Sequence, residues 1–370
     1  MRSRRTAQGL GLMLLLSLAL AATLTAQVKE IEPGTERAMF KAYPAKLHAP
    51  GNAILAASTP LPTWNGSFTF SGRTFTYNMV GTAPSTGTTT TVAAEIIPIK
   101  IVITSRTGVE TTFNPAHLLS NGRTVTSNAV MSPVFRAIPF TSGGVSMGTT
   151  QYIDAYQRAN FWGTVENHPG YHLRLGGPRI LPVQTLRPPA ADGTTATVFG
   201  FNAGLVDINW FDAQVESLIS SLGILPNTLP IFLTYDVYLT DGGQCCIGGY
   251  HSATGLISAP QSYAHATYVD RAGAFAQDVS ALSHEVGEWA DDPLVVNING
   301  NNTPCGILEN GDPLENNSNF GAFPYQGING FTYNLQDLVT LPYFGAPPST
   351  SVNGEFTFHG EGLSVCQNGS

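Results

Sequence analysis

Residues 278–293 read DVSALSHEVGEWADDP. Val279, Leu282, Val286 and Trp289 recur at helical spacing, so the stretch predicts an amphipathic helix. Asp278 offers an N-cap acceptor for the free backbone N–H groups of the first turn, and Pro293 ends the helix by pushing Asp292 out of helical backbone. His284 and Glu288 are four apart and share the face opposite the apolar stripe, with Asp291 near them and Glu285 one step round. An i, i+4 pair sets two donor groups side by side on consecutive turns, which is what a helix-borne metal site requires. In such a site His284 and Glu288 are ligands, and Glu285 is the base that takes a proton from a bound water. Without any metal, the same pattern is an amphipathic helix with a solvated acidic face.

Two features favour the metal. Between residues 270 and 315 lie Asp270, Asp278, Glu285, Glu288, Asp291, Asp292, Glu309, Asp312 and Glu315, while Arg271 is the only base. Carboxylates crowded in this way repel one another, and a cation relieves the strain. About twenty residues past the helix, Cys305 to Glu315 (CGILENGDPLE) presents further carboxylates on a turn. Glu309 is preferred as the third ligand over Asp312, and either over Glu315. His251 and His265 compete for the same role. Zinc is the expected metal, but a carboxylate at position 288 weakens the preference for it over harder ions, so calcium is the alternative. Gly287 inside the helix costs about 1 kcal/mol relative to alanine, which points to a close neighbour at that turn.

Outward from the helix, Gln261–Val269 reads as a strand with Ser262, Ala264 and Ala266 on one face and Tyr263, His265 and Thr267 on the other. Pro230–Leu239 is a second strand, Gly242–Gly249 a glycine- and cysteine-rich turn, and Asn209–Leu222 an amphipathic helix. Gln151–Trp162 has helical spacing. The β-branched run Ile96–Ile103 is broken by Pro98, which predicts a strand near a sheet edge. The expected class is α+β. It has a signal at 1–26, an extended proline-containing arm at 27–62, a β-rich region at 63–185 and an α+β region at 186–370 whose helix packs on a small sheet.

Composition sets the setting. The 370 residues carry 17 Lys+Arg against 25 Asp+Glu, a net charge of −8, and only 11% are charged. An average soluble domain has about 25%. Removing residues 1–26, with Arg2, Arg4 and Arg5, leaves 14 against 25, or −11. No basic stripe exists for nucleic acid, and 42% hydrophobic residues argue against disorder. The arginines followed by the apolar run Leu10–Ala22 read as a secretory signal, with twin-arginine export or an uncleaved anchor as alternatives. The mature chain is then expected to be secreted, periplasmic or extracellular, with no transmembrane anchor. In an oxidising compartment Cys305–Cys366 is the favoured disulfide, and adjacent Cys245 and Cys246 form a vicinal pair.

SHEVGEWADDP followed by CGILENGDP resembles segments of the plant Exordium-like (phosphate-induced) proteins and, more closely, a group of exported bacterial proteins. CCIGGYH and QYIDAYQRANFW are also similar to parts of that group. The resemblance implies secretion and a shared acidic site. The helix also resembles the active-site helix of zincin metallopeptidases, with Glu288 standing where their second histidine stands. Carried across by position, His284 and Glu288 match ligands and Glu285 matches the general base. That likeness implies a zincin-like second half and a zinc-dependent hydrolase acting on peptides or proteins. A non-catalytic extracellular or cell-surface protein with a structural cation site is the alternative. A carbohydrate-active protein is a third reading, on low charge and aromatics. A serine triad has no Gly-x-Ser-x-Gly to support it.

Overall fold

The run Ile96–Ile103 lies inside the strand Thr89–Thr104, which is buried along most of its length. The computed structural model describes residues 36–49, 59–70, 73–295, 308–340 and 357–361. Among these the fold is mixed α and β and β-rich, built on a 13-stranded sheet. Thr89–Thr104 pairs in parallel with Thr228–Tyr235, which pairs in parallel with Ala259–Tyr268. Gln244–Leu256 then joins antiparallel, followed by Val237–Asp241. One sheet therefore draws strands from both the β-rich region and the second half, and it is large where a small one was expected. The signal region, residues 1–26, lies outside the described residues, as do Cys305 and Cys366.

Thr89–Thr104 is an interior strand, contrary to the expectation from Pro98. On the side away from Thr228–Tyr235, three short segments follow it in parallel: His172–Leu175, Arg179–Ile180 and Gln184–Leu186. The carbonyls of Val92 and Ile96 accept from Gly176 and Leu181 on this side, so even-numbered residues point towards it. The donor that Pro98 lacks falls in the break between Ile180 and Gln184. The proline is accommodated by a gap in the neighbour rather than by an edge.

Each face of the sheet has its own core. One joins Ile96, Ile231, Ala264 and Ala266 to Leu282, Val286 and Trp289 of the helix Ser280–Asp291 and to Tyr152 and Tyr156 of the helix Tyr152–Asn160. The other joins Ile97, Ile99, Phe232 and Tyr263 to Phe211, Val215 and Ile219 of the helix Ile208–Ser221. Alternation along each strand thus feeds two helical layers. The expected strand Pro230–Leu239 is two strands, broken at Asp236, where φ is 51°. The expected turn Gly242–Gly249 is shorter, because the strand Gln244–Leu256 takes up most of it. The sulfur atoms of Cys245 and Cys246 lie in close contact at its start. No helix among the described residues is long and apolar enough to cross a membrane.

The arm at 27–62 contributes two strands. Met39–Ala42 and Lys46–His48 run parallel to Gln244–Leu256 where Val237–Asp241 leaves off. They bring Phe40 to one face of the sheet and Tyr43 to the other.

Asp278 is not the N-cap. Its backbone is left-handed, at φ 44°, and the helix begins at Ser280 after Val279. Its buried carboxylate instead accepts from the Val279 and Asn334 N–H groups and from Asn334 Nδ2, tying the helix start to the strand Thr332–Gln336. Burial pushes this carboxyl up to about 7. Below pH 4 it is neutral folded and unfolded alike. From there to about pH 7 only the unfolded chain ionises, so stability falls as pH rises. The full cost, on the order of a few kcal/mol, is present above that window. An Asp278→Asn variant keeps the Oδ1 acceptor without the charge. Its melting temperature should gain on the parent's as pH is raised from 4 to 8. A gap that stays constant with pH would refute this role.

Candidate metal centre

The antiparallel register of the two strands beneath the helix decides which histidine takes part. Tyr250 lies opposite His265, and His251 opposite Ala264. Paired residues share a face and successive residues alternate. His265 therefore shares the face of Tyr250 and lies 4.7 Å from the Phe211 ring, with Nε2 3.1 Å from Thr234 Oγ1. His251 shares the face of Ala264 and meets the helix Ser280–Asp291. A glycine precedes it by two. A Cβ on Gly249 would come within 2.6 Å of Glu285 Oε1 and 2.9 Å of the His265 carbonyl.

Every residue of the helix is buried, so its acidic face is not solvated. His284 Nε2 lies 2.9 Å from Glu288 Oε2, 3.6 Å from Asp312 Oδ1 and 3.9 Å from Glu285 Oε1. His284 Nδ1 is held by Gln336 Oε1, whose amide also donates to the Gly311 carbonyl. That bond places the ring proton on Nδ1 and leaves the Nε2 lone pair facing the carboxylates. Glu288 Oε1 accepts from the Gly311 N–H at 2.8 Å, which turns Oε2 towards His284. Gly311 is required by contact, since a Cβ there would meet His284 Nδ1 at 2.2 Å. His251 Nδ1 lies 3.4 Å from Glu285 Oε2 and 3.9 Å from Glu288 Oε2, while its Nε2 faces Glu309 Oε1 at 3.7 Å. The Phe40 ring stacks on His284, centroids 3.7 Å apart.

The electrostatics are those of a site short of positive charge. His251 Nε2, His284 Nε2, Glu285 Oε1, Glu288 Oε2, both Glu309 oxygens and Asp312 Oδ1 are buried with no hydrogen-bond partner. Burial, then mutual repulsion, pushes Glu285, Glu288 and Glu309 well above the ordinary carboxylate range. Burial pushes both histidines down to about 3, so they are neutral and present lone pairs. Two groups of three have donor atoms all within 4.8 Å of one another: His284, Glu288 and Asp312, and His251, Glu288 and Glu309. Tetrahedral ligands at zinc distances stand roughly 3.4 Å apart. The 2.9 and 3.6 Å separations around His284 Nε2 are close to that. The donors present fit a divalent cation.

All five residues singled out from the sequence thus lie in one cluster. Asp312, ranked below Glu309, is the carboxylate beside His284, and Glu309 faces His251. Glu315 stands apart, accepting from the Phe40 N–H at 3.1 Å and pairing with Arg37. Phe40, Gln336 and the two glycines were not anticipated. The pair Gly248-Gly249 ahead of His251 was the one visible signal, since glycines inside a strand mark close approach. Gly287 does have its close neighbour, the Leu338 side chain. Compared with known proteins, the chain matches no family model, no curated protein and no solved structure.

The Gly249 contact predicts that Gly249→Ala, which must displace either Glu285 or backbone, lowers stability by about 1–3 kcal/mol in urea unfolding. An unchanged midpoint would show that the strand and helix are not this close.

Proposed function

We propose that the protein is an exported metal-dependent hydrolase acting on peptide or protein amides, with a zincin-like arrangement of its second half. His284, Glu288 and Asp312 hold the cation, zinc in the first place. The observation that carries this is the convergence of three donor atoms with no hydrogen-bond partner, in a group where Asp312 is partly exposed at 36% of its side chain. The donor atom Asp312 Oδ1 is itself buried, while the rest of its side chain reaches solvent. A bound divalent ion would supply Lewis acidity and lower the pKa of a water molecule. Gln336 fixes the His284 tautomer, and Gly311 orients Glu288. Glu285 Oε1, 3.9 Å from His284 Nε2 and otherwise unpaired, accepts the proton from the attacking water and returns it to the leaving amine. His251 steadies the other Glu285 oxygen.

A second reading has a specific observation behind it. His284, Glu285 and Glu288 are fully buried and Phe40 covers His284, as suits a structural cation in a non-catalytic extracellular protein. One experiment separates the two. The purified chain is loaded with zinc, analysed for metal and assayed on a mixed peptide library beside Glu285→Gln. Hydrolysis that falls about 10²- to 10⁴-fold in the variant, with bound metal unchanged, is the expected result. Equal cleavage in the variant would sink the mechanism. Bound metal whose chelation lowers the melting temperature, with no cleavage in any preparation, would establish the structural reading.

A further inference from the structure

We infer that the centre takes two divalent cations, the second held by His251, Glu288 and Glu309, with Glu288 bridging the pair. The inference rests on the reading of His284, Glu288 and Asp312 as a cation site and extends it. Glu288 belongs to both groups of converging donors. Its Oε2 faces both imidazoles, 2.9 Å from His284 Nε2 and 3.9 Å from His251 Nδ1. Glu285 also stands between them, Oε2 towards His251 at 3.4 Å and Oε1 towards His284 at 3.9 Å.

One ion at His284 does not account for the other end of the cluster. His251 Nε2 is buried with no hydrogen-bond partner, and buried Glu309 beside it has only the Glu288 carboxyl to share a proton with. The bond from His251 Nδ1 to Glu285 leaves the Nε2 lone pair pointing at Glu309, where a ligand atom belongs. Charge gives the same answer. Among the described residues no lysine or arginine lies within 4.0 Å of Glu285, Glu288, Glu309 or Asp312. Four carboxylates balance two divalent ions. With all four ionised, a single ion would leave two negative charges for protons to meet, whereas two ions balance them. Paired ions share bridging carboxylates at separations of about 3.5–4 Å. Each position offers one imidazole and carboxylate oxygens, a donor set suited to zinc, manganese or iron(II).

The test uses the full chain, stripped with a chelator and reloaded with manganese(II) alone. Native mass spectrometry counts the ions, and electron paramagnetic resonance tells an exchange-coupled pair from isolated ions. Two ions per chain with a coupled signal are expected. His251→Gln, Glu309→Gln and His284→Gln should each reduce this to one ion with an isolated-ion signal. A parent chain that saturates at one ion overturns the second position and leaves the His284 site standing. A parent chain that takes up none overturns both. The parent's stoichiometry decides the matter even where a variant fails to fold.

Discussion

A helix with no exposed residue cannot hand its polar side chains to water, and this constraint organises the molecule around Ser280–Asp291. The helix rests on the sheet through Ala264 and Ala266, and beside Gly249, where small side chains let it approach. On its other sides Leu338 occupies the notch at Gly287, and Tyr156 and Gln157 donate to Asp291. Each polar group on the helix must then find a partner within the protein. Ser283 donates to the Ser280 carbonyl and accepts from the Gln336 N–H. His284, Glu285 and Glu288 are answered only in part, and the unanswered atoms all turn to one place. Buried polar atoms left unpaired cost roughly 1–3 kcal/mol each, more when charged. A fold that collects several of them in one cluster is stable only if protons or cations complete it.

The surrounding pieces arrive from distant parts of the chain for the same reason. The loop Glu309–Asp312 brings carboxylates, and also the Gly311 N–H that orients Glu288. The strand Thr332–Gln336 brings the amide that fixes the His284 tautomer, and is itself tied to the helix start through Asp278. The arm brings Phe40, whose stacking on His284 excludes solvent from one side. Such long-range closure is expensive in chain entropy. At Glu309, Asp312 and Gln336 it offers the apolar core little in return, since these groups are polar.

How much of this the sequence revealed depends on the range of the interaction that decides each feature. The helix and the pairing of His284 with Glu288 are local, and a period of 3.6 residues exposes them directly. The faces of Gln261–Val269 follow from a period of two and are as expected. Whether His251 meets the helix is set by one step of antiparallel register, and a slip of one residue would move it to the face of His265. Nothing in either strand alone specifies that register. Asp312 and Glu309 were separable only once the Gly311 N–H had fixed how the turn sits against Glu288. Pro98 misled because its missing donor was weighed against an edge, whereas a break between two short neighbours serves equally well. Asp278 misled because a good N-cap residue was already engaged with Asn334, a partner 56 positions away.

The arm covers the cluster on one side and closes the sheet edge beside it. Its two ends are anchored differently. Lys46 pairs with the buried Asp212 carboxylate, which also accepts from the Tyr250 and Tyr263 hydroxyls, and Tyr43 donates to Asn209. These contacts lie on the face away from the cluster, against the helix Ile208–Ser221. At the Phe40 end the polar ties are the Phe40 N–H to Glu315, the Lys41–Asp241 ion pair, ladder bonds to Gln244–Leu256, and the Arg37–Glu315 pair at 3.9 Å. Exposed or half-exposed ion pairs of that length contribute little, of the order of 0–1 kcal/mol. The part of the arm that covers His284 is held by its strand ladder and by the buried Phe40 ring. The part that completes the sheet is held by a buried charge network. The pairing of Met39–Ala42 along Ile247–His251 keeps the strand edge beside the cluster closed to other chains.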